Sequence, residues 1–377
     1  MPRCCVCFVM RFSVITFTVL TVVLLPACGS DSSTDITSTN DPASANSSGA
    51  AITTVPTPTS PQTAMFTTTE AVEGGAFAPG EEWYAYQEWV AELAQIFLVR
   101  PDGSGRHPLA QGVAAGHQTN PDWSPDGDRL VFAAGNGSTD DLWVIGADGS
   151  DARTVLACVD PCVALDDPAW SPDGGSILFS RQAISPSGDV VIGSLELIDL
   201  ASGDVSVILT APEPDFIAGP RFSPDGSRVV LEWVHTDGSA PFEHVTGVEL
   251  AVIDLDAPNP TMQPITDAAM FAATADWSPD GSTIVFSALA APEASAPELF
   301  SIRPDGSGLT QLTAITDGGG SAEHPDFRGD RGSVVFAGSF DGAGRLLIEV
   351  DIATGEISAA VGAGYVAGAH PRSRPVE

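Results

Sequence analysis

Six histidines, 49 acidic residues and six cysteines, of which only Cys158 and Cys162 lie beyond the first 28 residues, are the side chains here that could do chemistry. The histidines, His107, His117, His235, His244, His324 and His370, are scattered. None forms a His-x-x-x-His or His-Glu pair of the kind that puts zinc ligands on one helix face. His235 and His244, with Glu232 and Glu243 nearby, make a weak cation site conceivable, with a solvated loop as the simpler reading. Asp-rich turns such as Ser138-Thr139-Asp140-Asp141 lack the twelve-residue calcium loop and its terminal Glu. There is no Gly-x-Ser-x-Gly nucleophile elbow. The expectation is binding rather than catalysis, with no catalytic residue, no metal site and no cofactor; a channel-bound cation held by residues distant in sequence is the open alternative.

Cys158-Val159-Asp160-Pro161-Cys162 has the spacing of a short-loop disulfide if the chain is exported. A metal reading needs two further ligands nearby, and a redox reading normally uses a tighter two-residue spacing at a helix start.

The elements that must position these residues follow from an internal repeat. Trp123-Ser124-Pro125-Asp126-Gly127 recurs at Trp170-Ser171-Pro172-Asp173-Gly174, Phe222-Ser223-Pro224-Asp225-Gly226 and Trp277-Ser278-Pro279-Asp280-Gly281, so the aromatic steps by 47, 52 and 55 residues. Weaker copies stand at Phe327-Arg328-Gly329-Asp330-Arg331-Gly332 and Phe77-Ala78-Pro79-Gly80. Pro presets φ, Asp bonds backbone amides and Gly takes the left-handed conformation, so each copy is a turn. An apolar, β-branched run such as Leu130-Val131-Phe132 follows and reads as a strand. A second turn, Asp148-Gly149-Ser150 or Asp305-Gly306-Ser307, comes 20 to 30 residues on. Four antiparallel strands per unit of about 50 residues make a propeller blade. The fold class is therefore all-β, a six-bladed β-propeller of four-stranded antiparallel blades. Either the tail Ala369-His370-Pro371-Arg372-Ser373 or the segment before Phe77 closes the ring.

The residue three before each motif aromatic should open onto the central funnel. Those positions are Asn120, Asp167, Gly219, Thr274, His324 and, in the tail, His370. A ring that varies while its scaffold repeats is where a ligand surface is expected. Asn120, Asp167, Thr274, His324 and His370 are thus the candidate ligand-facing residues, against the alternative that they bond only channel water and neighbouring turns.

The Trp-Ser-Pro-Asp-Gly, Asp-Gly-Ser and terminal Leu-Thr pattern resembles the repeat of TolB and TolB-like periplasmic propellers, from Phe77 to the carboxyl terminus. The resemblance implies a peptide or protein partner bound in the funnel or on one face. The same repeat occurs in the propeller of prolyl oligopeptidase-type peptidases, whose hydrolase domain finds no room here. TolB's additional amino-terminal α/β domain is absent, which argues against a role in a Tol complex. A propeller hydrolase or lyase acting at the channel, or a structural envelope component, is the alternative function.

The amino terminus carries Arg3 and Arg11, an apolar run from Phe12 to Leu25, and Leu25-Pro26-Ala27-Cys28. This is a signal peptide, with Met10 an alternative start. Its end resembles the bacterial lipobox, in which the Cys thiol is lipidated, so Cys28 is the expected anchor. Residues 30–69 are Ser, Thr, Pro, Ala and Gly with almost no large apolar side chain, too little to offset ordering entropy. Such a tether of some 40 residues reaches about 35 Å. The expected organisation is signal peptide 1–27, tether 28–70 and propeller 71–377. The formal charge of −34, without a single Lys, excludes nucleic acid as a partner. The expected protein is a monomer, lipid-anchored on the outer face of the cytoplasmic membrane, that meets an envelope or extracellular protein, peptide or glycan.

Overall fold

The computed structural model describes residues 80–375, apart from 91–92, 114–115, 136–138, 185–190, 239–243, 330–331, 340–344 and 363–368. The signal segment, Cys28, the tether and Phe77 lie outside the described residues. Six four-stranded antiparallel sheets are arranged around one axis. Blade two is Gln118–Trp123, Arg129–Gly135, Asp140–Gly146 and Arg153–Leu156, from axis to rim. Blades three to six repeat this order, with innermost strands Cys162–Trp170, Phe216–Phe222, Ala273–Trp277 and Ser321–Phe327. Blade one differs. Its inner strand is the tail, Ala369–Ser373, paired antiparallel with Tyr84–Val90. The tail closes the ring, and Ser373 takes the position that Trp or Phe holds elsewhere.

The repeat motif is legible atom by atom. Ser171 Oγ donates to Asp173 Oδ1 at 2.6 Å and accepts from Ser176 N at 2.9 Å, while Asp173 Oδ1 also accepts from Gly175 N. The same bonds recur at Ser223–Asp225 and Ser278–Asp280. Gly127, Gly174, Gly226 and Gly281 have φ between 67° and 74°, where a Cβ would be strained.

Each second strand has both faces buried, which explains its unbroken apolar run. Side chains alternate between the two seams. Leu130 and Phe132 pack with Ile96, Leu98 and Trp123 toward blade one, whereas Val131 and Ala133 join Leu165, Ile177 and Phe179 toward blade three. Six such wedges, one per seam, make up the core. Full burial of each large side chain contributes about 1.5–3 kcal/mol. The motif indoles also stitch the seams. Trp123 Nε1 donates to Arg372 O at 3.1 Å and Trp277 Nε1 to Arg221 O at 3.2 Å.

Candidate functional site at the channel ring

Every innermost strand carries a break in register at the same place, between Thr119 and Asp122 in blade two and at equivalent points in the others. The bulged residue has positive φ in all six blades: Asn120 52°, Asp167 50°, Gly219 54°, Thr274 55°, His324 55° and His370 54°. Bulges concentrate at barrel rims and next to functional sites. A non-glycine residue held in this region costs about 1–3 kcal/mol, most for a β-branched residue such as Thr274. The conformation recurs in all six blades and the cost in five, Gly219 being exempt, which marks it as part of how the ring is built.

Three of the candidate residues are tied across seams or strands. Asn120 Nδ2 donates to Asp166 Oδ1 and Asp167 Oδ1, both at 2.7 Å. Asp167 Oδ2 accepts from Gly219 N at 2.9 Å. Thr274 Oγ1 and Ser287 Oγ lie 2.6 Å apart, and Thr274 N donates to Glu232 Oε1 at 2.6 Å. The remaining two face each other. The His324 and His370 rings stand 3.9 Å apart at 51°. His324 is 4% exposed, and neither of its buried ring nitrogens has a hydrogen-bond partner in the protein. Its Nδ1 is 3.9 Å from Glu323 Oε2, too far for a hydrogen bond. Burial, followed by the Arg345 and Arg372 guanidinium groups, drives the His324 pKa well below the usual imidazole value. His370 is lowered likewise by burial, then by His324 and Arg372. The pair is neutral at pH 7, with one donor and one acceptor to offer per ring.

A second ring lies two residues further along each inner strand: Asp122, Ala169, Arg221, Asp276, Asp326 and Arg372. Its carboxylates act as latches. Asp122 Oδ2 accepts from Trp170 N, Asp276 Oδ2 from Phe327 N, and Asp326 Oδ2 from Ser373 N, at 2.7–2.8 Å. Arg372 Nη1 also donates to Asp326 Oδ1 at 3.0 Å. Asp122 and Asp276 are pushed up chiefly by burial, Asp276 to about 7 with Asp326 adding to it. Glu232 is raised to about 8, first by burial and then by the Asp167 carboxylate.

Glu232 and this second ring were missed by reading the repeat only at its funnel position. The second ring had a signal, since its members all directly precede the motif aromatic. Glu232 had a subtler one. It belongs to the second strand of blade four, Arg228–Thr236, and fills the space of a ring side chain, so that a Cβ on Gly219 would stand 2.6 Å from its Oε1. The grouping of Glu232 with His235 is corrected by the pleat. His235 instead has Nδ1 2.8 Å from Asp215 Oδ2 and Nε2 3.2 Å from Glu249 Oε1, while His244 is exposed and Glu243 lies outside the described residues. Among the described residues no group of three or more His, Cys, Asp or Glu is arranged to hold a metal ion.

Cys158 and Cys162 are joined as a disulfide with Cα atoms 5.3 Å apart, in the connection entering blade three. Cys158 N donates to Asp141 Oδ1 at 2.8 Å.

No family model matches the sequence. TolB from Acinetobacter baumannii superposes with a TM-score of 0.56 at 16% identity, over 80% of this chain and 67% of that one. Kuenenia stuttgartiensis hydrazine synthase gives 0.58 at 14% identity, and a puromycin hydrolase 0.54 at 19%. Those two matches cover 79% and 78% of this chain but only 47% of the other protein in each case. The chain therefore has the six-bladed propeller fold of TolB, a scaffold that also carries other functions.

Proposed function

We propose that the protein is an extracytoplasmic binding module, lipid-anchored through Cys28, that meets a protein or peptide partner on one face of the propeller. The observation that carries this is where apolar surface is left exposed. Antiparallel blades place the connections from first to second and third to fourth strand on one face. Those from second to third strand, and from one blade to the next, fall on the other. On the first face the motif turns barely vary, with five residues between strands in blades two, three, four and six and six in blade five, while the third-to-fourth links there run from five residues to eight. On the second, the link from second to third strand runs from two residues, between Val90 and Leu93, to eight, between Thr236 and Val245. Trp89 is 55% exposed there, beside Val90 and Leu93, and so are Val159 at 67% and Ile184. Constant turns beneath variable loops is the arrangement of a scaffold that presents a recognition surface.

Val159 sits within the loop closed by Cys158 and Cys162, and Ile184 N donates to Pro161 O at 2.9 Å, so this apolar knob is braced before any partner arrives. Prior bracing reduces the ordering entropy lost on binding. Aliphatic Val159 and Ile184 offer no flat face and favour the apolar side chains of a polypeptide, with Trp89 the one exposed aromatic ring among the three on which a sugar ring could stack.

Two experiments test the reading. Envelope extract passed over immobilised wild-type protein should yield a stoichiometric partner that is lost in the Trp89→Ala/Val159→Asp double variant. The partner should be retained in Leu309→Ala, which lies near the outer strand of blade five. Retention by both variants, or loss in both, would remove the face from the proposal. Anchoring is read separately, by palmitate labelling and membrane fractionation. Wild type should be labelled and sediment with membranes, whereas Cys28→Ala should lose both properties; a labelled Cys28→Ala protein would refute the anchor.

A further inference from the structure

Two arginines of the second ring are buried with half of their hydrogen-bonding capacity uncommitted. Blades one and four are opposite one another in a ring of six, so Arg372 and Arg221 stand on opposite sides of the channel. Each is 7% exposed. Arg221 Nη1 donates to Pro220 O at 2.9 Å and to Pro168 O at 3.5 Å. Arg372 Nη1 donates to Asp326 Oδ1 at 3.0 Å. In both residues Nε is buried without a hydrogen-bond partner, and Nη2 donates to no group among the described residues. The Nε–Nη2 edge of a guanidinium is a two-donor fork that matches the two oxygens of a carboxylate. One such edge is uncommitted on each side of the channel.

The surrounding charges call for one further negative group. Three described arginines are more than nine-tenths buried. Arg372 has a carboxylate oxygen of Asp326 at 3.0 Å and Arg374 one of Asp128 at 3.7 Å, whereas Arg221 has none within 4 Å among the described residues. Burial, and next the Arg372 charge, disfavour the Arg221 cation, yet a guanidinium stays protonated in a protein. The neighbouring carboxylates give little relief. Asp122 and Asp276 each accept from a backbone amide of the next blade, and Asp276, raised to about 7, is half ionised at neutral pH. A buried cation without a close counter-charge is costly. Asp122 and Asp276 are only partly buried, so solvent reaches this level of the channel. The balancing group carries a single charge, because a dianion would be pressed against Asp122, Asp276 and Asp326.

We infer that the second ring is a binding site for a small monocarboxylate, clasped between the Nε–Nη2 edges of Arg221 and Arg372. Both carboxylate oxygens accept from the guanidinium edges, and the neutral His324 and His370, one layer along the axis, present no charge to the rest of the molecule. An overall charge of −34 opposes the approach of any anion, so binding rests on the two forks, with a Kd on the order of 1 mM. The site uses nothing from the exposed apolar face, so its fate is independent of the binding reading above.

The test uses the full-length protein at neutral pH and constant ionic strength, with sodium acetate as ligand and chloride and sulfate as competitors. Saturation transfer to the acetate methyl protons gives the affinity, and thermal unfolding gives the linked stabilisation. Chloride and sulfate should each displace acetate from wild type at least about tenfold less effectively than acetate itself. Acetate at about 100 mM should raise the wild-type Tm over the chloride value by about 2 °C or more. Arg221→Met removes one fork, so it should lose that increment and weaken acetate binding about tenfold or more. Arg221→Lys keeps the charge without the fork and should weaken it likewise. Equal competition by chloride or sulfate in wild type, or undiminished acetate binding in Arg221→Met, would overturn the inference. If Arg221→Met failed to fold, Arg221→Lys would decide it, since undiminished binding there would refute the fork.

Discussion

At the scale of single residues, the channel is a place where carboxylates are spent on backbone amides. Glu232 illustrates both the chemistry and the limits of reading it from sequence. It accepts from Thr274 N across a seam, is 3% exposed, and has its pKa raised from an ordinary 4.5 to about 8. A carboxyl whose folded pKa is raised contributes stability that is complete below its unfolded pKa and is lost as pH rises through the folded value. Glu232→Gln keeps the acceptor oxygen and cannot ionise. It should match wild type near pH 4 and exceed it at pH 9, by up to about 5 kcal/mol at roughly 1.4 kcal/mol per pKa unit. Denaturant unfolding at the two pH values checks this, and parallel pH profiles for the two proteins would contradict it. His324 and His370 act with the opposite sign. Their folded pKa values are depressed, so their contribution is present above the ordinary imidazole value and is lost as pH falls. His324 and His370 were legible because they sit at the repeated funnel position. Glu232 was not, because it reaches the ring from the neighbouring strand, and only packing against Gly219 reveals the exchange.

At the scale of elements, the turns carried almost all the information. Ser, Pro, Asp and Gly each have a local physical reason to be where they are, so four copies of the motif located four inner hairpins without tertiary knowledge. Blade boundaries followed from the same turns. The bulge that sets φ near 50° in all six inner strands was not legible, although Pro follows it in five of them. Pro disfavours the α region for the residue before it, which is compatible with an ordinary extended strand. The left-handed choice is made by the seam, where the bulge lets Asp167, Glu232 and Ser287 reach the amides of Gly219, Thr274 and His324 in the next blade. The degenerate blade-six motif looked like a weak copy of the others. In three dimensions it closes the same inner hairpin, with Arg328 N donating to Ser333 O at 3.0 Å as Ser171 N does to Ser176 O.

At the scale of the molecule, closure depends on residues 369–373, far in sequence from the blade they complete. This tail brings three groups to the axis: His370 against His324, Arg372 against Asp326, and the Ser373 amide against Asp326. Arg374 Nε adds a bond to Gly127 O of blade two at 2.8 Å. Deleting residues 369–377 should therefore lower Tm by at least about 10 °C, since it removes an inner strand and two latches together. An unchanged Tm would mean that blade one does not need the tail. The sequence left two candidates for closure, since strand pairing over such a separation leaves no local signature.

The central claim is that the face bearing Trp89 and Val159 receives a polypeptide. The most direct measurement is site-specific photo-crosslinking in intact cells, with the crosslinker placed at position 159 and, as control, at Val207 on the outer strand of blade three. The account predicts one discrete adduct from position 159, abolished by Trp89→Ala, and none from position 207. Adducts of equal intensity from both positions, or an adduct from 207 alone, would contradict it.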